Sequence, residues 1–143
     1  MSDKAAILVK RAALEFDKIS NPIFAAYDLT ASQYKVLKYL YARENGAARI
    51  VDLEKEYSLT HPTTLGLVDM LESKGFVTRI PNPNDARGKL VALTEKSLAM
   101  KDDLLELGES IEKKLTANLD ENEREQLIHL LQKLLNIEEF DQE

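Results

Sequence analysis

Residues 50–94 read IVDLEKEYSLTHPTTLGLVDMLESKGFVTRIPNPNDARGKLVALT. Ile50, Leu53 and Tyr57 recur at helical spacing and mark a short helix. Ser58-Leu59-Thr60 is a tight connection, with Thr60 placed to cap the next helix and Pro62 inside its first turn. Leu65, Val68 and Leu71 carry that helix to Lys74-Gly75, where the glycine ends it. The period then changes. Phe76 to Ile80 is short and partly β-branched, and Lys89 to Leu93 alternates Leu and Val with other residues. Between these strands, Pro81 to Gly88 is dense in turn formers and too short for another element, so it reads as a hairpin with a long tip. Two helices joined by a short turn and followed by a two-stranded hairpin describe a winged helix-turn-helix.

Upstream, Thr30-Ala31-Ser32-Gln33 has the form of a capping box ahead of Tyr34, Leu37, Leu40 and Tyr41, and Asn45-Gly46 closes that helix. From Asp3 to Ile19 a first helix carries Leu8, Ala12, Phe16 and Ile19 on one stripe. Ser20-Asn21-Pro22 is expected to end it and to start another. Downstream, Thr94 caps a helix expected to run to about Asn118, through Leu98, Leu104, Leu105, Ile111 and Leu115. Asp120 and Glu123 open a last helix bearing Leu127, Leu131, Leu134 and Leu135. The expected class is mostly α with a small two-stranded β-wing.

The chain has 143 residues, 44% hydrophobic and 31% charged, the profile of a folded globular protein rather than a disordered one. No apolar run approaches the ~18–20 residues that a bilayer span needs, and the amino terminus carries no secretory signal, so a cytoplasmic address is expected. Zero Cys rules out disulfides, thiolate metal sites and thiol nucleophiles. His61 and His129 are the only histidines, and no phosphate-binding glycine loop occurs, so neither an enzyme, a metal site nor a cofactor is expected. The formal net charge is −6, yet residues 30–96 hold ten basic and eight acidic groups, a local +2. A nucleic-acid partner is compatible with that centre.

The chain resembles the MarR family of transcriptional regulators over nearly its whole length. The resemblance rests on Leu29-Thr30-Ala31-Ser32-Gln33-Tyr34, then on Val68 to Val77, and most of all on Asp85-Ala86-Arg87-Gly88-Lys89 followed by Leu93-Thr94-Glu95-Lys96. It implies a winged helix-turn-helix over 30–94, with the helix-turn-helix at about 50–74 and the wing at about 76–93. Residues 1–29 and 95–143 would form a helical dimerisation region. Their amphipathic stripes are too long for one small winged helix to bury, and a symmetric homodimer is the commonest solution.

Double-stranded DNA is then the expected partner. The helix from Thr60 to Lys74 would enter the major groove, with Thr60, His61, Thr63 and Thr64 near its amino terminus, where hydroxyls and ring nitrogens can bond bases or phosphates. At Gly66 many family members carry an arginine. The glycine here implies weaker guanine readout, close backbone approach to DNA, or helix-packing economy. In the wing, the resemblance implies that Arg87 enters the minor groove, that Asp85 orients its guanidinium and that Lys89 lies near phosphate. Gly88 would allow a backbone angle that other residues resist. It further implies a small aromatic or phenolic effector, whose pocket Phe24, Tyr27, Tyr34 and Tyr39 would line. The expected function is a ligand-responsive repressor on a pseudo-palindromic operator. The alternative is a protein–protein interaction module that keeps the fold without binding an operator.

Overall fold

The computed structural model describes residues 4–137. Asp3, at the start of the expected first helix, and the segment 138–143 of the expected dimerisation region lie outside the described residues. The described chain runs α1 (Ala5–Ala25), α2 (Ala31–Tyr41), β1 (Ala47–Ala48), α3 (Ile50–Tyr57), α4 (His61–Ser73), β2 (Val77–Asn82), β3 (Asp85–Leu93), α5 (Glu95–Ala99), α6 (Lys101–Leu115) and α7 (Glu121–Leu135). Among the described residues two compact units result: 20–107, and 4–19 with 108–137. The expected winged helix, 30–94, falls within the first of these.

In the unit Ser20–Leu107 the capping signals act as read. Thr30 and Gln33 bond each other's backbone amides at the start of α2. Gly46 and Gly75 take positive φ, +62° and +82°, at the turns that close α2 and α4. Leu37, Leu40, Leu53, Val68 and Leu71 are sealed from solvent, so the buried stripes of α2, α3 and α4 share one core with Phe76, Val77 and Val91 of the sheet. Removing one such leucine costs several kcal/mol in proteins generally, ~2–5 for Leu→Ala.

Two expectations are corrected, and one strand joins the expected two-stranded wing. Pro22 lies inside α1 rather than ending it. Ser20 and Phe24, on one face of that helix, are buried at 0% and 1% exposure; burying an aromatic side chain yields ~1.5–3 kcal/mol, the same order as the cost of an interior proline. The helix after Thr94 is not continuous to Asn118, but breaks at Met100 into α5 and α6. There the Tyr41 hydroxyl donates to the Ser97 carbonyl at 2.5 Å, and burial pushes the Tyr41 phenol up to about 12. That carbonyl also accepts from the Met100 amide, which tightens the turn where the break occurs. Finally, the sheet has three strands in the order β1-β3-β2, because Ala47 and Ala48 pair with Ala92 and Val91. A two-residue strand has no periodicity to read.

In the other unit, Asp120 and Glu123 form the capping box of α7, and Arg124 bridges to Glu112 of α6 at 2.6 Å. Ile111 is buried. In contrast, Ile7, Leu8, Val9 and Leu14 of α1 and Leu127, Leu130, Leu131, Leu134 and Leu135 of α7 are exposed in the protomer.

Candidate nucleic-acid interface

The face of α4 follows from its own sequence. Thr64, Val68 and Leu71, spaced four and three residues apart, are fully buried and seat the helix. His61, Thr63, Gly66, Met70 and Ser73 are exposed and form the outer face. Thr60 is the N-cap: its hydroxyl accepts from the Thr63 amide at 3.3 Å and donates to the Thr63 hydroxyl at 3.0 Å. Ser58, at φ 53°, makes the turn, and the Leu59 amide donates to the Glu54 carbonyl at 3.0 Å.

Thr64 is removed from the expected base-reading set. Its side chain has no exposure, and its hydroxyl donates to the Thr60 carbonyl at 2.9 Å. It closes the first turn of α4 instead. His61 stands exposed at the first helical position, with Nδ1 2.8 Å from Glu54 Oε2 on α3. At Gly66 the packing explanation is overturned, because a Cβ there would meet nothing within 4 Å. Within the protomer the glycine only costs helix stability. Gly66→Ala is therefore expected to raise the unfolding free energy by about 0.5–1 kcal/mol in urea titration, and a less stable variant would show that the fold needs the glycine.

The wing differs from the expected long tip. Its strands reach Asn82 and Asp85, so the turn itself is Pro83-Asn84. The register jumps from Pro81 opposite Lys89 to Asn82 opposite Asp85. Ala86, Arg87 and Gly88 therefore bulge out of β3, with Arg87 at the centre. A Pro at 81 has no N–H to give the ladder, which suits the irregularity on its side.

Asp85 holds the bulge, but through the backbone: its Oδ1 accepts from the Arg87 amide at 3.0 Å. The expected orientation of the Arg87 guanidinium by Asp85 is replaced by orientation of the main chain. Gly88 is not at positive φ. Its role is room, since a Cβ would lie 3.3 Å from Asp85 Oδ2. Among the described residues the exposed Arg87 guanidinium has no carboxylate partner. Lys89 is likewise exposed at the foot of the bulge.

An ion-pair bridge that the linear sequence does not announce joins α4 to the wing. Arg79 of β2 donates to Asp69 at 2.8 Å and also to Glu72, both on α4. The hydrogen bond that Arg79 donates to Asp69, reinforced by the charge of Glu72, holds the guanidinium further into its charged range. Acids three residues apart on a helix are common surface pattern, and nothing local points them at a strand seven residues on.

The four aromatics assigned to an effector pocket separate into groups. Phe24 and Tyr34 stack in the core, with ring centroids 4.5 Å apart. Tyr39 meets Tyr57 edge-on and lies 4.3 Å beneath the Arg43 guanidinium. Tyr27 is half-buried in the turn that follows α1.

A helix seated by one face and exposed by the other, beside a hairpin that projects an arginine unpaired among the described residues, defines a winged-helix DNA-binding protein. The MarR family model matches residues 29–89. The multiple antibiotic resistance protein MarR of Escherichia coli is 37% identical over 120 residues, covering 83% of this chain and 82% of that protein. The chain belongs to the MarR family. A mutant of E. coli MarR solved in complex with operator DNA superposes with a TM-score of 0.81 at 34% identity, covering 91% of this chain and 92% of the other. BpsR of Bordetella bronchiseptica, described as regulated in its DNA binding by 6-hydroxynicotinic acid, superposes with a TM-score of 0.85 at 25% identity, over 96% and 97% of the two chains.

Proposed function

We propose that this chain is a homodimeric, effector-responsive repressor that acts by binding operator DNA and not by catalysis, in the cytoplasm. The observation that carries the reading is the outer face of α4, where His61, Thr63 and Gly66 stand exposed on a helix that Arg79 ties to the hairpin bearing the Arg87 bulge. His61 and Thr63 read base edges in the major groove, Thr60 caps, and Gly66 lets the helix backbone approach the DNA. Arg87 enters the minor groove and Lys89 meets phosphate. The exposed leucines of α7 and the apolar residues of α1 become the dimer interface, which sets two reading heads about one DNA turn apart, roughly 10–10.5 bp. No helix of the described residues is long and apolar enough to cross a membrane.

The effector is a small aromatic acid or phenol, of the chemical class to which BpsR responds. Two features support it. Phe24 and Tyr34 form a buried aromatic pair, and the Ser20 hydroxyl, one turn before Phe24 on α1, is buried without a hydrogen-bond partner among the described residues. Such an effector acts only through different affinities for two conformations.

Selection from a pool of randomised DNA duplexes tests the reading: two related half-sites in the recovered sequences are expected, and recovery of unrelated sequences would favour the interaction-module alternative. Lys89→Ala is expected to weaken binding to all recovered sequences similarly. It should also lower the slope of log affinity against log salt by about two for the dimer, one phosphate contact per half-site. An unchanged slope would remove Lys89 from the DNA contact.

A further inference from the structure

His61 is the first residue of α4, and its ring is held by a residue of the preceding helix. Glu54 Oε2 lies 2.8 Å from His61 Nδ1, with the Glu54 side chain only 22% exposed and the His61 ring 62% exposed. An ionised carboxylate has no proton to give, so the hydrogen of this bond belongs to Nδ1. In a neutral imidazole the other nitrogen, Nε2, is then an acceptor, since the bond made by one ring nitrogen sets the role of the other. The backbone of the pair is fixed at both ends. The Glu54 carbonyl accepts from the Leu59 amide in the turn, and His61 directly follows the Thr60 cap.

In the major groove an acceptor meets the N6 amino group of adenine or the N4 amino group of cytosine, whereas guanine and thymine offer only acceptors at the corresponding edge. Resting on the DNA-binding reading above, we infer that Glu54 is a positioning residue that sets the base preference of His61. By holding the ring as the Nδ1–H tautomer, it makes Nε2 select an amino-bearing base, A or C, on the strand the ring faces. Glu54 touches no base itself. It acts through the histidine.

The tautomer can be read without DNA. His129 is the only other histidine, so His129→Gln leaves one ring to observe. Nitrogen-15 spectra of that variant at about pH 8.5, above the ordinary histidine range, distinguish a protonated ring nitrogen from a bare one. The expected result is a protonated Nδ1 and a bare Nε2, moving to a mixture of tautomers in Glu54→Ala and in the near-isosteric Glu54→Gln. In parallel, the wild type and both Glu54 variants are carried through selection from one randomised duplex pool. The wild type should favour A or C over G or T by about fivefold or more at one position of each half-site. Both variants should lose that preference while the rest of the site persists. Protonated Nε2 in the otherwise wild-type ring, or the same base preference with and without Glu54, would overturn the assignment. A correct tautomer with no sequence enriched at all would be a failure of the DNA-binding reading, and the assignment would fall with it.

Discussion

Arg87→Ala is expected to weaken binding to selected operator duplexes by roughly 1–3 kcal/mol per half-site, twice over in a symmetric dimer. The protomer itself should be unaffected, within about 0.5 kcal/mol in urea, because the guanidinium has no partner among the described residues. Part of the binding loss should scale with A·T content where the wing lands, since a narrow minor groove concentrates the negative potential that attracts arginine. Arg87→Lys would keep the charge but lose the planar fork, and should recover only part of the affinity. Asp85→Ala should fall between wild type and Arg87→Ala, because it releases the backbone of the bulge rather than the guanidinium. Combining the two should add little, as neighbours acting through one contact are not additive. Fluorescence anisotropy across a salt series, with A·T-rich and G·C-rich duplexes, measures each term. Wild-type affinity in Arg87→Ala would leave the bulge without a role.

The second large effect concerns assembly. Leu130 and Leu134 lie one turn apart on α7, at 61% and 58% exposure in the protomer. In the proposed dimer both are covered, at ~1.5–3 kcal/mol each, in each of two subunits. Leu130→Glu with Leu134→Glu replaces that gain with four buried carboxylates and should leave a monomer by light scattering at micromolar concentration. Far-UV circular dichroism should be unchanged, because neither leucine supports the protomer core. Affinity for a two-half-site duplex should fall toward that for a single half-site. A wild-type chain that is monomeric, or a double variant that stays dimeric, would overturn the assignment of α7 to the interface.

Much of the helix-turn-helix was legible because its signals are local. A threonine ahead of an apolar repeat and a glycine after it locate α4 within a residue, since capping is decided by groups three or four positions away. The same rules misled at Pro22, where tertiary burial of Ser20 and Phe24 overrides a local stop. They misled again at Met100, where a phenol from α2 competes for a helix carbonyl. Thr64 shows the limit on the candidate site. A threonine on the first turn of a reading helix looks available for bases, and only the position of the core shows that its face points inward. Glu54 with His61, and Arg79 with Asp69 and Glu72, join separate elements through side chains, and no spacing rule encodes such pairs. The bulge at Arg87 was legible as a turn-rich segment, but its register depends on a pairing that composition cannot specify.

The open space over Gly66 also bears on how such a protein changes over generations. The first carbon of a side chain introduced there meets none of the molecule's own atoms within 4 Å, so the immediate packing exerts no veto at the position. Glycine codons stand one base change from those for arginine, serine, aspartate and valine. On the proposed reading of α4, such a regulator acquires a new letter in its DNA vocabulary by a single step, without first finding a compensating mutation elsewhere. The vacancy on α4 is in that sense heritable slack, held on the face that the proposed reading turns toward the genome.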